Sequence, residues 1–547
     1  MWEDAQLTVS RFYYAHFFVC LRGNCNLLFV CLFDVLRIAL PQHFFERTWK
    51  FMSLINISNL TFGYDGSYEN VFENVSLRLD TDWKLGFTGR NGRGKTTFLK
   101  LLMGKYEYSG SISSSVEFDY FPFEISDKSM FGLDIAEETD YDFEYWRLAK
   151  ELNMIGLCEE ILYRPFDTLS YGERTKLMLA ILFMKQNNFL LIDEPTNHLD
   201  TDGREAVSRY LDSKRGFILV SHDRRFMDNC IDHILSVNRV NIELQQGNFS
   251  SWFENKKLQD EFEMNENAKL QKEIFKLNQA AKRSAAWADK TEKGKYRNNN
   301  KNSEGFFDRG FVGHKAAKAM KRSKNIEVRR EKASEEKSKL LKNIENNESL
   351  KIYPLTFGKT LAEIKDLEIK YEDRTVNKPV SFSIKDGQRI LLRGVNGSGK
   401  SSILKAVACG NMNFNGSVCK GSGLTISYIP QDASFLKGRV SDFASGNEAD
   451  ETLLKTILRK MDFPRSCFDN LMENFSEGQK KKVLLAASLC KKAHLYIWDE
   501  PLNYIDVFSR IQIETLINEF KPAMLLVEHD SEFAENIGAE IIALQRA

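Results

Sequence analysis

The sequence predicts an α/β chain made of two copies of one domain, joined by a long helical hairpin. Three observations carry that prediction. A set of short motifs recurs in the same order roughly 306 positions further along. Each copy sets a glycine-rich loop between a strand-like and a helix-like segment. The stretch between the copies combines helical periodicity with a concentrated positive charge. At 547 residues there is room for three or four domains of roughly 150 residues each. With 43% hydrophobic and 28% charged residues the chain can bury real cores and is not disordered as a whole.

Residues 1–51 stand apart. Phe12 to Leu40 is rich in Phe, Leu, Val and Cys, but Arg22, Asn24, Asn26, Asp34 and Arg37 interrupt it, leaving only Leu27 to Phe33 unbroken. No small-residue cleavage site follows. The segment is read as an extension ahead of a natural start at Met52, with a membrane anchor or signal sequence as the alternative. Past residue 51 no apolar run approaches the ~20 residues that span a bilayer, so an integral transporter is not expected. The nine Cys show neither paired metal spacing nor a dense disulfide framework, which predicts a reducing, cytoplasmic setting.

The first domain is expected over 52–253 and the second over 352–547. Alternating strand patterns open each, Leu54-Ile-Asn-Ile-Ser-Asn-Leu and Ile364-Lys-Asp-Leu-Glu-Ile. Buried-strand runs follow (Lys84-Leu-Gly-Phe-Thr and Arg389-Ile-Leu-Leu-Arg), then the glycine loop, then a helix starting at its lysine. Gly89-Arg-Asn-Gly-Arg-Gly94-Lys95-Thr96 and Gly394-Val-Asn-Gly-Ser-Gly399-Lys400-Ser401 both fit G-x-x-x-x-G-K-[ST], their lysines 305 apart. Ser170 and Gly172 recur at offset 306 as Ser476 and Gly478, Asp193-Glu194-Pro as Asp499-Glu500-Pro. His222 recurs at offset 307 as His529, and Tyr64 as Tyr371. The chain therefore holds two copies of one ATP-handling domain.

The chemistry follows from residue types. Backbone N–H groups of the two loops, with Gly89, Asn91, Gly92 and Gly94 in one and Gly394, Asn396, Gly397 and Gly399 in the other, wrap nucleotide phosphates. Lys95 and Lys400 reach the β- and γ-phosphates; Thr96 and Ser401 offer hydroxyls to Mg²⁺, next to Thr97 and Ser402. Asp193 and Asp499 hold that Mg²⁺, directly or through water, while Glu194 and Glu500 polarise the attacking water as general bases. His222 and His529 sense the γ-phosphate or orient the water. A serine hydroxyl and a glycine N–H at a helix start, as at Ser170/Gly172 and Ser476/Gly478, make an anion site.

On these residues the chain resembles the ATP-binding cassette superfamily, in which the Ser-x-Gly elements are the signature motifs. The resemblance implies two tandem P-loop cassettes. Ser170 and Gly172 would close on the γ-phosphate held by Lys400, and Ser476 and Gly478 on that held by Lys95, so that ATP glues the halves of a monomer together. It further implies that Tyr64 and Tyr371 stack on adenine and that a Gln between loop and signature reaches Mg²⁺. The second copy has Gln431 in Tyr428-Ile-Pro-Gln; the first reads Tyr120-Phe-Pro-Phe123, a departure that predicts weaker metal binding or slower turnover there.

Between the cassettes, 254–351 is expected to form two long antiparallel helices with a non-helical tip at 286–314. Leu258, Phe262, Leu270, Ile274, Leu277 and Ala281 follow helical spacing, and so do Ala333, Leu340 and Ile344. From Lys269 to Arg330 there are 18 Lys and Arg against 6 Asp and Glu, although the chain's 76 basic and 76 acidic residues cancel overall. A basic prong beside acidic bodies suits RNA phosphates. In the tip, Trp287, Tyr296, Phe306, Phe307 and Phe311 alternate with Lys293, Lys295, Arg297, Arg309 and Lys315, a mixture suited to stacking on exposed bases.

The run Asp193-Glu-Pro-Thr-Asn-His-Leu-Asp200 and the charged linker resemble the ABC-F family of ribosome-associated ATPases. The spacing from loop lysine to signature serine is 75 residues in one copy and 76 in the other, so no extra arm is inserted. Gly310-Phe-Val-Gly-His-Lys-Ala-Ala-Lys-Ala-Met-Lys-Arg322 is similar to the corresponding stretch of Lsa- and Vga-type antibiotic-resistance proteins. That implies protection of the 70S ribosome: binding at the tRNA exit site in the ATP-closed form, contact with 23S rRNA, and displacement of the peptidyl-site tRNA. Lincosamide, pleuromutilin or streptogramin A would then leave the peptidyl-transferase centre. The alternatives are a general translation factor for stalled ribosomes and the ATPase subunit of a separate drug transporter.

Overall fold

The computed structural model describes residues 54–65, 70–140, 142–197, 199–238, 241–296, 349–371, 374–410, 412–447 and 450–547, with positions 314, 318, 321–322, 324–332 and 334 between the two halves. Among the described residues the first cassette contributes nine strands: β1 (Leu54–Phe62), β2 (Phe72–Asp80), β3 (Lys84–Gly89), β4 (Ser109–Ser113), β5 (Glu117–Phe121), β6 (Asn188–Asp193), β7 (Phe217–Val220), β8 (His233–Val237) and β9 (Ile242–Gln246). β2-β1-β4 form an antiparallel sheet, and β5-β6-β7-β3-β8-β9 a second one, parallel except for β9 on β8.

Strand periodicity builds two cores. Along β6, Phe189 and Leu191 point into one cluster with Leu85, Phe87 and the helix residues Phe98 and Leu99. Leu190 and Ile192 point into the other, with Leu177, Leu179 and Ile181 of the helix Tyr171–Met184. A strand buried on both faces reads as a continuous apolar run, which is why Asn188–Asp193 and Phe217–Val220 carry almost no polar residue before their ends.

The second cassette repeats the plan with β10 (Thr360–Tyr371), β11 (Arg374–Thr375), β12 (Val380–Lys385), β13 (Arg389–Arg393), β14 (Phe414–Lys420), β15 (Ile426–Ile429), β16 (Leu495–Asp499), β17 (Met524–Val527) and β18 (Glu540–Ala543). Its parallel sheet runs β15-β16-β17-β13-β18, and β10 pairs antiparallel with β11, β12 and β14. Every strand run and loop-to-helix step expected from the sequence is present, with helices Lys95–Leu102 and Lys400–Ala408 starting on the two lysines.

The linker departs from expectation in its bounds. One helix runs from Phe249 to Tyr296, 48 residues and roughly 72 Å at 1.5 Å per residue. It starts before 254 because Phe249 and Trp252 are buried in the first cassette's core and anchor its first turn. It continues through 286–296, where a non-helical tip was expected, because Ala285, Ala286, Ala288, Lys290, Glu292 and Lys293 are strong helix formers that outweigh the single Gly294. Beyond the anchor, Leu258, Phe262 and Phe275 are each 64% exposed, so their helical spacing marks an open stripe and not a core. Residues 324–332 are helical as expected. Residues 1–51, the antiparallel turn, the linker positions Ala333, Leu340 and Ile344, and the tip residues Arg297, Phe306, Phe307, Arg309, Phe311 and Lys315 lie outside the described residues, as do the side chains of Trp287, Lys293, Lys295 and Tyr296. Among the described residues no helix is long and apolar enough to cross a membrane.

Candidate nucleotide sites

Parallel α/β sheets present ligands at the carboxyl ends of their strands. Here β3 ends in Gly89 and its loop, β6 in Asp193 and Glu194, and β7 leads to His222; β13, β16 and β17 do the same for Gly394, for Asp499 and Glu500, and for His529. The loops need their glycines. Gly94 and Gly399 hold φ of 87° and 84°, and a Cβ on Gly94 would come within 2.5 Å of Val71. Both general-base candidates also take left-handed backbone, Glu194 at φ 51° and Glu500 at 46°, fixed by N–H bonds to Val220 O (2.9 Å) and Val527 O (3.0 Å).

In the first loop Lys95 Nζ donates to Gly89 O (2.8 Å), Arg90 O (3.2 Å) and Asn91 Oδ1 (3.3 Å). Thr96 Oγ1 donates to Asp193 Oδ2 at 2.8 Å, Tyr120 Oη donates to the same oxygen at 2.9 Å, and Tyr64 Oη lies 2.7 Å from Thr97 Oγ1. His222 Nε2 sits 3.1 Å from Asn91 Oδ1 and 3.3 Å from Glu194 Oε1. These side chains share a cavity of about 560 Å³ with Gly92, Gly94 and, from the other cassette, Ser476, Gly478 and Tyr504.

The halves meet closely there. Asn91 Nδ2 donates to Tyr504 O at 2.8 Å, and a Cβ on Gly478 would stand 2.6 Å from that carbonyl oxygen. Ser476 caps the helix Glu477–Cys490 by accepting from Gln479 N at 3.3 Å, which leaves its hydroxyl proton free to donate toward an anion.

The second site repeats the parts with different wiring. Lys400 Nζ donates to Gly394 O (2.8 Å) and Val395 O (3.2 Å), Ser401 Oγ to Asp499 Oδ1 (3.0 Å), and Tyr371 Oη lies 2.8 Å from Ser402 Oγ. Gln431 Nε2 donates to Glu500 Oε2 at 2.9 Å, Asn503 Nδ2 donates to the same oxygen at 2.7 Å, and His529 Nε2 is 3.5 Å from Glu500 Oε1. A cavity of about 450 Å³ joins Tyr371, Asn396, Gly397, Gly399, Lys400, Ser401, Ser402, Gln431, Glu500 and His529. The first cassette reaches it through Tyr171 and Arg204, and Asp200 Oδ2 accepts from Asn396 N at 3.4 Å. Ser170 and Gly172 flank Tyr171 but do not line this cavity, unlike their counterparts at the first site.

Phe123 explains an electrostatic difference between the sites. It packs against the helical core, so among the described residues no amide takes the place of Gln431, which is one part of that difference; Glu194 Oε1, with His222 Nε2 at 3.3 Å, makes no hydrogen bond. Burial and the neighbouring Asp193 push the Glu194 carboxyl up to about 8, with Lys95 and Arg510 opposing. Burial would also raise Glu500, but hydrogen bonds from His529 and Gln431 and the charge of Lys400 outweigh it and hold it at about 2. Burial keeps both histidines below their usual value, so each acts as a neutral imidazole. A base must be deprotonated to work. In a Glu500→Gln variant, where the first site turns over alone, kcat/KM for ATP should rise with pH through about 8. In Glu194→Gln, where the second remains, it should stay level from about pH 7 to about pH 9. Steady-state ATPase assays on the two variants check the contrast.

The donor sets fit Mg²⁺. Each site offers one hydroxyl and one carboxylate within hydrogen-bond distance, and the buried Asp499 keeps one oxygen, Oδ2, without a partner. A hard cation that takes its other ligands from phosphate and water needs no more protein oxygens. Gln431, expected at the metal, spends its amide N–H on Glu500 and retains its Oε1 for such a role.

Several residues that join the halves carry no sequence motif. Arg224 forms a buried ion pair with Glu514 and reaches Glu532 at 3.3 Å. Arg90 lies over the Phe508 ring at 5.5 Å, and Phe508 meets Trp252 edge-on. Asn503 does have a signal, since Asn follows the Asp-Glu-Pro run at the same distance in both copies, Asn197 and Asn503.

Comparisons with known proteins agree with this layout. The ABC transporter family profile matches residues 72–197 and again 377–503. The chain is similar to the ABC transporter ATP-binding protein YfmM of Bacillus subtilis (strain 168), 26% identical over 545 residues, 89% of this chain and 98% of that one. It is also similar to the ATP-binding protein Uup of Buchnera aphidicola subsp. Schizaphis graminum, 28% identical over 89% of this chain and 80% of that one. The ribosome protection protein VmlR of Bacillus subtilis is 24% identical over 88% and 85%. Among solved structures, a chain from the complex of archaeal ribosomal stalk protein aP1 and archaeal ribosome recycling factor aABCE1 shares the fold, with a TM-score of 0.57 at 18% identity, covering 89% of this chain and 87% of that one.

Proposed function

We propose, from the premise that each half of this chain is an ABC transporter ATP-binding domain, that the whole is an ABC-F ATPase of the cytoplasm that clamps on ATP, binds the ribosome and protects it from antibiotics of the peptidyl-transferase centre. One observation carries the reading. The first phosphate loop and the second cassette's Ser476 and Gly478 line a single cavity, so a nucleotide held by Lys95 is touched by both halves.

Binding and closure are then one event. Backbone N–H groups of Gly92 and Gly94 and the ammonium of Lys95 take up phosphate charge, while Ser476 and Gly478 donate from across the interface. Thr96 with Asp193, and Ser401 with Asp499, would hold Mg²⁺, which would supply neutralisation of phosphate charge. Glu194 and Glu500 accept the proton of the attacking water, and neutral His222 and His529 orient it. Hydrolysis removes the anion that bridges the halves, and the clamp opens.

The basic linker supports an RNA partner: its net charge of +12 from Lys269 to Arg330 suits phosphate. The likeness to a relative named ribosome protection protein supports the same partner. Expression in a drug-susceptible bacterium should raise the concentration of lincosamide, pleuromutilin or streptogramin A that the host withstands. Replacing residues 286–314 by a short Gly-Ser turn should leave ATPase intact and abolish the protection. Unchanged drug susceptibility in a host that makes active ATPase would contradict the antibiotic reading.

A further inference from the structure

Beside the second nucleotide pocket lies another cavity, of about 330 Å³, whose lining includes Arg204, Ser208, Arg225, Arg393, His529 and Ser531. Arg204 and His529 line both spaces, so the vestibule and the pocket of Lys400 share a wall. Its polar groups are incompletely used. Ser208 is 4% exposed, yet its Oγ has no hydrogen-bond partner. Arg393 donates from Nη2 to Ser531 Oγ at 3.3 Å, while its buried Nε has no partner. Arg204 is neutralised by Asp223 at 2.8 Å and Arg225 by Glu535 at 3.6 Å, while Glu205, also in the lining, faces Arg209 at 3.8 Å. Among the described residues no carboxylate pairs with Arg393.

The related place beside the first site is built otherwise. The repeat offset carries Ser208 to Glu514, Ser531 to Arg224 and Arg393 to Thr88. There Arg224 and Glu514 form their buried ion pair, Arg224 reaches Glu532, and Asn536 Nδ2 donates to Glu514 Oε2 at 3.1 Å. One side of the interface is filled by a charge pair. The other has two serines and an arginine in its place.

We infer that this vestibule binds inorganic phosphate on its way out of the second nucleotide site, and that the Arg224–Glu514 pair closes the matching route at the first. The inference rests on the ATP-hydrolysing reading above. A tetrahedral oxyanion in a partly desolvated space needs a cation and hydroxyl donors to replace its water. Arg393 supplies the charge and Ser208 and Ser531 the hydroxyls. The shared wall at His529 puts the vestibule next to the position the γ-phosphate leaves, so release at the second site need not await separation of the halves.

The test uses the full chain in a Glu194→Gln background, in which the second site alone hydrolyses. Acid-quench of a rapid mix with ATP reads bond cleavage, and a fluorescent phosphate sensor reads release. Ser208→Glu with Ser531→Arg installs the first site's ion pair in the vestibule. The single-turnover rate of bond cleavage should stay as in the parent, and sensor-detected release should slow by about tenfold. Release that keeps pace with cleavage in this variant overturns the inference. Absence of ATP cleavage in the parent would instead count against the ATPase reading itself. Because the paired substitution sits at an interface, Arg393→Gln gives a second arm. Added inorganic phosphate should inhibit it about fivefold less than the parent, and equal inhibition also overturns the proposal.

Discussion

Replacing Glu194 and Glu500 together by Gln should lower ATP turnover by about 10²-fold or more while ATP still binds. The amide keeps the size of each side chain but accepts no proton. Each glutamate sits where only such a loss is expected: Glu500 is gripped by Gln431, Asn503 and His529, and Glu194 stands behind Asn91 and His222 with an oxygen to spare. Neither substitution touches the lysines or the glycine loops, so ATP should accumulate between the cassettes and hold them shut. Equilibrium binding of a fluorescent ATP analogue beside a turnover assay separates the two effects. Undiminished turnover would remove the glutamates from the base role.

The second large effect is on stability. Lys482→Met should destabilise the protein by about 3–5 kcal/mol, because it strips the counterion from a buried carboxylate. Lys482 Nζ lies 2.8 Å from Asp506 Oδ2, with side chains only 4% and 0% exposed, and it also donates to Met461 O at 2.7 Å. Asp506 cannot relax away, since it caps the helix Val507–Phe520 by accepting from Ser509 N at 2.9 Å. Burial would raise its carboxyl, but Lys482 holds it well below the usual range. Asp506→Asn in the Lys482→Met background keeps the cap geometry and removes the stranded charge, so it should restore part of the loss. Urea unfolding of the single and double variants measures both steps. Equal midpoints for Lys482→Met and the parent would show that the pair carries no stability.

Much of this was legible in the sequence because it is local. Buried strands announce themselves as apolar runs, the phosphate loops as glycines at fixed spacing before a lysine, and the repeat as a constant offset. The loop lysine, its hydroxyl partner and the strand-end carboxylate lie where their pattern put them, Thr96 on Asp193 and Ser401 on Asp499. Phe123 signalled that the first site would differ, though not how: it leaves Glu194 without the amide donor that Gln431 gives Glu500. Beyond the signature serine and glycine at Ser476 and Gly478, contacts between the halves left no trace. Arg224 and Glu514 are 290 positions apart and Asn91 and Tyr504 are 413, with no periodicity to link them. The linker helix departs from its sequence pattern at both ends for opposite reasons, a tertiary anchor at Phe249 and Trp252 that no pattern reveals, and helix propensity through 286–296 that Trp287 and Gly294 disguise.

The central claim is that ATP-driven clamping commits the chain to the ribosome. Pelleting of 70S ribosomes with the Glu194→Gln, Glu500→Gln protein tests it most directly. With ATP and Mg²⁺ the protein should sediment with the ribosomes in near one-to-one ratio, and with ADP it should stay in the supernatant. A protein that binds ATP yet remains in the supernatant under both conditions contradicts the account.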